Sequence, residues 1–520
     1  EAVGQVYKKI YFIGDIKEDI SYLEWLVSIN KISFDDAIVV YWDRPDEHTK
    51  GCKYNVKYCG NSVFVEKTHF SIFDENREIP FDVEVALVNS DGEEIKVIGA
   101  TQVSYAESKR RIDVTKAPYL AVGDGKTLNT QAIQKAIDDC GANDCVYIPE
   151  GVFLTGALNL HSDMELYVSE RAVLQGSKKV EDYLPKIKSR FEGIERTCYR
   201  SLINIGEIDN KAGYTSKNIV IRGGGSILGG GRELLIDTVE QESGFVFLGD
   251  DFFARKQQCG WDTRGRLLHV CNTENIVVSN VTIGLGASWN LHFIYSKNVV
   301  TFGCKIVSWN VNNGDGWDVD SSEDCTIFDC DFDTRDDMIA VKSGKNPEGN
   351  IINRPTRNVK VFDCRCEHGH GLAVGSEMSG GVENFYVWDC QMEQSRCGIE
   401  IKGAKERGSY VRNVYVYDSA FSILAVRSVD YNNGAEKAPT PPVFENFHFE
   451  NLSLTGVCVK HSGETWNESA IILEGFDEEG HFLKDVKIKD IVIKRRDDAP
   501  QQSISLYCLQ GVSIENLRCE

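Results

Sequence analysis

From about residue 218 onward, apolar and polar positions alternate in a short phrase that returns ten times. An Asn, Asp or Gly precedes a hexad whose fifth residue is again Asn, Asp or Gly and whose last is small or apolar. Neighbouring copies read TFGC ending at Cys304, CTIFDC at Cys330, VKVFDC at Cys364 and FYVWDC at Cys390. The hexads begin at Ile219, Ile276, Val299, Cys325, Val359, Phe385, Val414, Phe447, Val486 and Val512, with most spacings between 23 and 39 residues, which is a solenoid period. Positions one and three are nearly always Ile, Val or Phe, the alternation of a strand that faces a core. Position five holds residue types that tolerate a left-handed backbone, so the chain turns there. Each repeat therefore predicts one coil of a parallel β-helix, coils stacking about 4.8 Å apart.

Before residue 112 the phrase is absent. YFIG, AIVVYWDRP, KYNVKYCGNSVFVEKT, HFSIF and FDVEVALVNSDG read as short strands parted by turn signals such as CGN and NSDG. With Trp42 and Tyr54 as core aromatics, this stretch resembles a fibronectin type III sandwich. The expected organisation is all-β: a small β-sandwich over 1–111, then a right-handed parallel β-helix of about ten coils over 112–520. Between them QAIQKAIDDC predicts a helix with Ala132, Ile133, Ala136 and Ile137 on one face and Thr130 as its cap, placed to cover the open first coil.

Composition narrows the partners. The chain has 520 residues and a net charge of -22, which repels polyanions and argues against nucleic acid. No apolar run reaches 18 residues, so no transmembrane helix and no membrane insertion is expected. Four of the seventeen cysteines, Cys304, Cys330, Cys364 and Cys390, take the sixth hexad position, where other coils have Ser419, Val281 and Leu452. That position asks for a small buried residue. The ladder and the odd count favour reduced thiols and hence a cytoplasmic location, while a start at Glu1 rather than Met leaves room for a removed signal peptide. No CxxC pair occurs, against a zinc site.

The chemistry falls in the strand after each hexad. Aligning GWDVDS from Gly316, MIAVKS from Met338, GLAVGS from Gly371 and GIEIKG from Gly398 puts Asp315, Asp337, His370 and Cys397 at one equivalent position, with Asp336 beside Asp337 and Lys402 further along its strand. Carboxylates converging on a rigid sheet repel one another, so some are paired, kept neutral or poised to exchange protons. Such a set can protonate a glycosidic oxygen and activate a water.

NGDGWD (313–318), RDD (335–337), GHG (369–371) and IEIK (399–402) together resemble the NTD, DD, GHG and RIK motifs of the polygalacturonases, family 28 of the glycoside hydrolases. GSEMSGGVEN (375–384), which contains Glu377, resembles the bacterial exo-acting branch. The resemblance implies an inverting hydrolase of pectic oligosaccharides that needs no cofactor or metal. It implies Asp336 as general acid, Asp315 and Asp337 as holders of the attacking water, and His370 as the tuner of the cluster. Asn313 would orient Asp315, Lys402 would bind a galacturonate carboxylate, Glu377 would lie in the substrate site, and Tyr431 would contact sugar.

One departure matters. Glu400 stands where that family has Arg, so an anion replaces a substrate-binding cation. Either Lys405, Arg407 or Arg412 supplies the missing charge, or the leaving-group subsite takes a neutral sugar, as in rhamnogalacturonan or decorated pectin. Residues 232–264 and 343–357 interrupt the coil rhythm and are expected to wall one end of the groove, as exo action requires; Arg264, Arg266 and Lys345, in or beside them, are candidates to meet acidic sugars, with solvated loop charge the expected reading for each. Phe302, Phe328, Phe362, Trp388 and Tyr417, at hexad position four, should pack under a loop or domain. A calcium-dependent pectate lyase and a non-catalytic carbohydrate-binding solenoid are the alternatives.

Overall fold

The computed structural model describes residues 29–73, 80–209, 213–244, 246, 260–430, 436–460, 462–494 and 503–520. The strand expected at YFIG and the site residue Tyr431 lie outside them. The chain divides into two compact units, Glu1–Ser108 and Lys109–Glu520.

Among the described residues of the first unit, seven strands form two antiparallel sheets. β1 (Asn30–Ser33), β2 (Ile38–Tyr41) and β5 (His69–Ile72) make one in the order β1-β2-β5; β3 (Lys53–Tyr58), β4 (Asn61–Val65), β6 (Phe81–Val88) and β7 (Glu94–Val103) make the other in the order β4-β3-β6-β7. Trp42 and Tyr54 are fully buried, ring to edge with centroids 5.3 Å apart, and share one core with Val40, Val56, Val85 and Ile98.

The second unit is a right-handed parallel β-helix. All ten hexads pair in register, first residue to first residue, from Ile219↔Ile276 through Val299↔Cys325 and Phe385↔Val414 to Val486↔Val512. Every fifth position has positive φ, from 47° at Asp363 to 138° at Gly223, which is where the chain turns. The residue before each hexad is also left-handed, and its side chain builds a ladder. Asn298 donates to Asn275 at 2.6 Å, Asn384 to Asn358 at 3.0 Å, Asn413 to Asn384 at 2.9 Å and Asn446 to Asn413 at 2.7 Å. An amide suits that place because it tolerates the left-handed backbone and both donates to one rung and accepts from the next.

The sixth-position cysteines are buried free thiols, each donating to the carbonyl two residues back at 3.2–3.5 Å. The position-four aromatics Phe302, Phe328, Phe362 and Trp388 are buried in a stack of nearly parallel rings, with centroids 5.0, 4.8 and 4.4 Å apart.

Two local expectations need correction. Thr130 does not cap its helix: it is the first residue of Thr130–Asp138, after Asn129, and its hydroxyl accepts from Gly156 N at 2.7 Å. Arg264 and Arg266 are not solvated but 0% and 2% exposed, and Lys345 is buried too. Arg264 donates to the carbonyls of Trp261, Ala287 and Asn312, filling a loop interior that lacks regular backbone partners. The interruptions at 232–264 and 343–357 carry the helices Gly231–Ser243 and Glu348–Ile352. Two antiparallel hairpins were not legible in the sequence: Ile187–Phe191 with Ile194–Cys198, and Val457–Val459 with Thr465–Asn467.

Candidate active site

The helix carries a separate sheet of eleven parallel strands, and the candidate site lies along its middle. There Trp317–Asp320 pairs with Ile339–Lys342, which pairs with Leu372–Val374 and then Ile399–Ala404, in the register Trp317↔Ile339↔Leu372↔Ile399. Asp315, Asp337, His370 and Cys397 each stand two residues before these partners, so they occupy successive rungs at one lateral position.

Asp336 and His370 are in direct contact: Nδ1 of the imidazole is 2.9 Å from Asp336 Oδ1 and 3.6 Å from Asp337 Oδ1. The His370 backbone N–H donates to Asp336 O at 2.9 Å, which fixes one residue against the other. Lys402 Nζ lies 3.8 Å from Asp337 Oδ2. Asp315 is 4% exposed and its Oδ2 meets Lys342 Nζ at 2.9 Å; its Oδ1 has no hydrogen-bond partner among the described residues. Asn313 accepts from Arg264 at 2.9 Å, so the side chain that holds Asp315 is Lys342 rather than Asn313.

The charges arrange themselves by burial and pairing. Burial raises the Asp336 carboxyl, but His370 outweighs it and holds the group well below its usual range. Burial lowers His370, and Asp336 and Asp337 push it up to about 9. Asp315 is raised well above the ordinary carboxyl value, mainly by burial, and burial likewise takes Asp318 up to about 6. Both meet the ammonium of the buried Lys342, at 2.9 and 2.6 Å. Two buried carboxyls share that ammonium, so burial is only partly offset and both acids are raised above their ordinary value. Across the free site, Asp336 and Asp337 favour the charged imidazole of His370, and His370 in turn favours ionised Asp336.

Asp336, Asp337 and His370 each offer a ligand atom within 4.8 Å of the others, a set with the composition of a cation site. The imidazole is otherwise committed: Nδ1 faces Asp336, and Arg396 Nη1 lies 3.0 Å from Nε2. That second contact is a hydrogen bond only in the neutral ring, where Nε2 offers its lone pair; in the imidazolium that the two acids favour, both nitrogens carry protons and Nδ1–H points at Asp336.

Glu400 is 5% exposed and lies between two cations. Lys402 Nζ is 3.0 Å from Oε2, and Arg427 Nε donates to Oε1 at 2.7 Å from the next rung, where Lys402 pairs with Arg427 in register. Burial raises Glu400, but Lys402 and Arg427 together hold it at about 2. None of the three cations expected near Glu400 is there. Arg407 is fully buried, donating to Ser376 O at 2.9 Å and Asn346 Oδ1 at 2.6 Å, and so ties loops together instead of facing substrate. Arg412 pairs with Glu383 on a hexad strand, and Lys405 pairs with Glu478. Glu377 follows the strand Leu372–Val374; its carbonyl accepts from Ser343 N at 2.7 Å, and its charge is one of those that raise Lys342.

On the N-terminal side the line of acids ends against a wall. The register Leu291↔Trp317 makes Trp289 the rung neighbour of Asp315, and Phe191 from the hairpin Ile187–Cys198 stacks on it at 5.2 Å. Both rings are buried. Arg190 of the same hairpin pairs with Asp320 at 3.0 Å, and Gly193 O takes a hydrogen bond from Lys345 N at 3.0 Å, with only 2.7 Å between that nitrogen and a Cβ built on Gly193. On the other side of His370 a cleft of about 420 Å³ opens, lined by Arg335, Gly369, His370, Arg396, Lys460 and Ser462. Lys342, Asp318, Arg396, Arg427, Lys460 and the Phe191–Trp289 stack escaped sequence reasoning. Only the equal register of Lys342 and Lys402, each in the last position of a short strand motif, offered a sign.

The family model for glycosyl hydrolases family 28 matches residues 212–494. The exo-poly-alpha-D-galacturonosidase of Dickeya chrysanthemi is 29% identical over 489 residues, covering 82% of this chain and 81% of that protein. A probable polygalacturonase of Vitis vinifera is 30% identical over 404 residues, 70% of this chain and 77% of that one. Among solved structures, the hyperthermoactive exopolygalacturonase of Thermotoga maritima aligns with a TM-score of 0.66 at 27% identity, over 79% of this chain and 92% of that one. The Yersinia enterocolitica family 28 exopolygalacturonase shares the fold with a TM-score of 0.74 at 21% identity, over 95% and 98%. With a family model spanning more than half its length, the chain belongs to family 28 of the glycosyl hydrolases and is a glycoside hydrolase.

Proposed function

We propose that the protein is an inverting, exo-acting hydrolase that releases galacturonic acid from the end of a pectic oligosaccharide. The observation that carries this reading is the closed end of the acid line. Asp315, Asp337 and His370 follow one another on successive rungs, and the rung before Asp315 is filled by Trp289 under Phe191. A sugar chain that reaches Asp315 has nowhere to continue on that side, so the bond within reach of the acids is near a chain terminus. The exo-acting relatives support the same assignment of end and sugar.

In this reading the proton for the glycosidic oxygen comes from the Asp336–His370 pair. The Nδ1 proton passes across the 2.9 Å contact to Asp336 Oδ1 and from there to the leaving oxygen, so the ionised state of Asp336 in the free site is a resting state. Asp337 and Asp315 hold the water that attacks from the opposite face and take its proton. Arg407 is left out of the substrate contacts.

The leaving-group side supports decorated pectin or rhamnogalacturonan fragments over plain polygalacturonan. Glu400 already occupies the place between Lys402 and Arg427 that a substrate carboxylate would take. We also read the leading sandwich, bounded near residue 111, as fibronectin type III-like, on its sheets β1-β2-β5 and β4-β3-β6-β7. Product analysis on defined oligogalacturonides and rhamnogalacturonan oligosaccharides tests the assignment: galacturonic acid released singly from one end is the expected result, and internal cleavage or an unsaturated, ultraviolet-absorbing product overturns it.

A further inference from the structure

We infer that the cleft between His370 and the hairpin Val457–Asn467 is a uronate subsite, in which Arg335 and Arg396 bind a carboxylate of the substrate chain. This rests on the reading of the enzyme as a hydrolase of acidic sugars and adds the residues that recognise the acid.

The charge of the cleft runs against the molecule. The chain carries -22 overall, yet among the described residues four of the six that line the cleft, Arg335, His370, Arg396 and Lys460, are basic and none is acidic. His370 and Lys460 have carboxylates of their own, Asp336 and Glu464, whereas among the described residues no carboxylate pairs with Arg335 or Arg396.

The two arginines also have donors to spare. Among the described residues Arg335 makes no side-chain hydrogen bond or ion pair, and the side chain of Arg396 makes one contact, to His370 Nε2 at 3.0 Å. A guanidinium has five N–H donors in a planar fork that matches a carboxylate. Lys460 is less available, because Glu464 pairs with it at 2.8 Å. At the Glu400 rung the reverse holds: Lys402 and Arg427 are both engaged by an internal carboxylate. Free positive charge thus lies on the cleft side of His370.

The far wall is built to stay in place. Val459 N donates to Ser395 O at 3.1 Å, Lys460 N to Glu464 O at 2.8 Å, and Cys458 is buried against Ile423, Ala425 and Ile472. A cleft of about 420 Å³ is within the size of ordinary small-ligand pockets and has room for a sugar ring.

The test uses the full chain and two paired substrates, an oligogalacturonide and its methyl ester, which differ in the carboxylate charge. Arg335→Gln is the cleaner variant, because Arg335 does not touch His370; Arg335→Lys keeps the charge without the fork. A charge-assisted hydrogen bond lost here should raise KM for the acid by about 10- to 100-fold with kcat within a few-fold, and leave the ester nearly unchanged. Arg335→Lys should fall between. An unchanged KM for the acid, or equal losses on acid and ester, overturns the proposal. Calorimetric binding of galacturonate against galactose separates this from failure of the functional reading. If the wild type hydrolyses no galacturonide, preferential galacturonate binding that Arg335→Gln abolishes still upholds the subsite, and equal affinity for the two sugars overturns it.

Discussion

Asp336 Oδ1 and His370 Nδ1 meet at 2.9 Å across one rung of the sheet, and in the proposed mechanism this contact holds the working proton. Replacing Asp336 by Asn leaves a hydrogen-bond acceptor for His370 but removes the group that hands on the proton. The expected result is a loss of kcat by about 10² to 10⁴ in a protein that still folds cooperatively, its thermal midpoint lowered by the loss of the ion pair. Steady-state kinetics beside a melting curve checks it, and turnover near the wild-type level removes Asp336 from the acid role.

The same contact makes stability depend on pH. His370 has a folded value raised to about 9, so its contribution is complete below the ordinary imidazole value near 6.5 and is lost as pH rises through 9. Asp336 is depressed, so its contribution is present above the ordinary carboxyl value and is lost as pH falls through the lowered one. His370→Asn should therefore destabilise most near pH 5–6, by at most about 3 kcal/mol, and the gap to wild type should close toward pH 10. Melting curves across that range measure it, and a gap independent of pH would refute the ion pair.

Glu400 lies in the interior between two cations, which changes what its replacement does. Glu400→Arg places a third cation beside Lys402 and Arg427 and is expected to cost about 3–5 kcal/mol. Combining it with Arg427→Glu should recover a good part of that loss, since one anion again stands between two cations. A double variant no more stable than the single one would show that the pairing is not what holds this rung.

The asparagine ladder carries a structural prediction. Asn384 gives one hydrogen bond to Asn358 and receives one from Asn413, at φ 60°. Asn384→Ala should lose about 1–3 kcal/mol, read as a lower midpoint in denaturant with activity retained.

How far the chain could be read before its structure depended on how local the signal was. The hexads announced their own register because the alternation of a strand and the turn at residue five are properties of adjacent residues, and Val359 meets Phe385 as the spacing implied. The line Asp315, Asp337, His370 followed from equal offsets to three similar strands. The rest was not local. That Lys342 turns inward to Asp315 and Asp318, that Arg427 reaches back to Glu400, or that Phe191 crosses to Trp289, 98 residues on, depends on which side chains long excursions bring together. Arg264 and Arg266 looked like loop charge because an isolated arginine in an insertion carries no mark of the carbonyls that will surround it.

The closed end of the groove makes its own prediction. Replacing residues 188–197 with a short glycine linker uncovers Trp289 and should shift products from single galacturonic acid toward mixed oligomers. An unchanged product pattern would place the end stop elsewhere.

The most direct measurement is proton nuclear magnetic resonance of the anomeric signals in the first minutes of hydrolysis of a defined, α-linked galacturonide. Acids on neighbouring rungs that pass a proton to the leaving oxygen and activate a water opposite predict β-galacturonic acid first, one sugar at a time from one end. Initial appearance of the α-anomer, or of a 4,5-unsaturated product, would contradict the account.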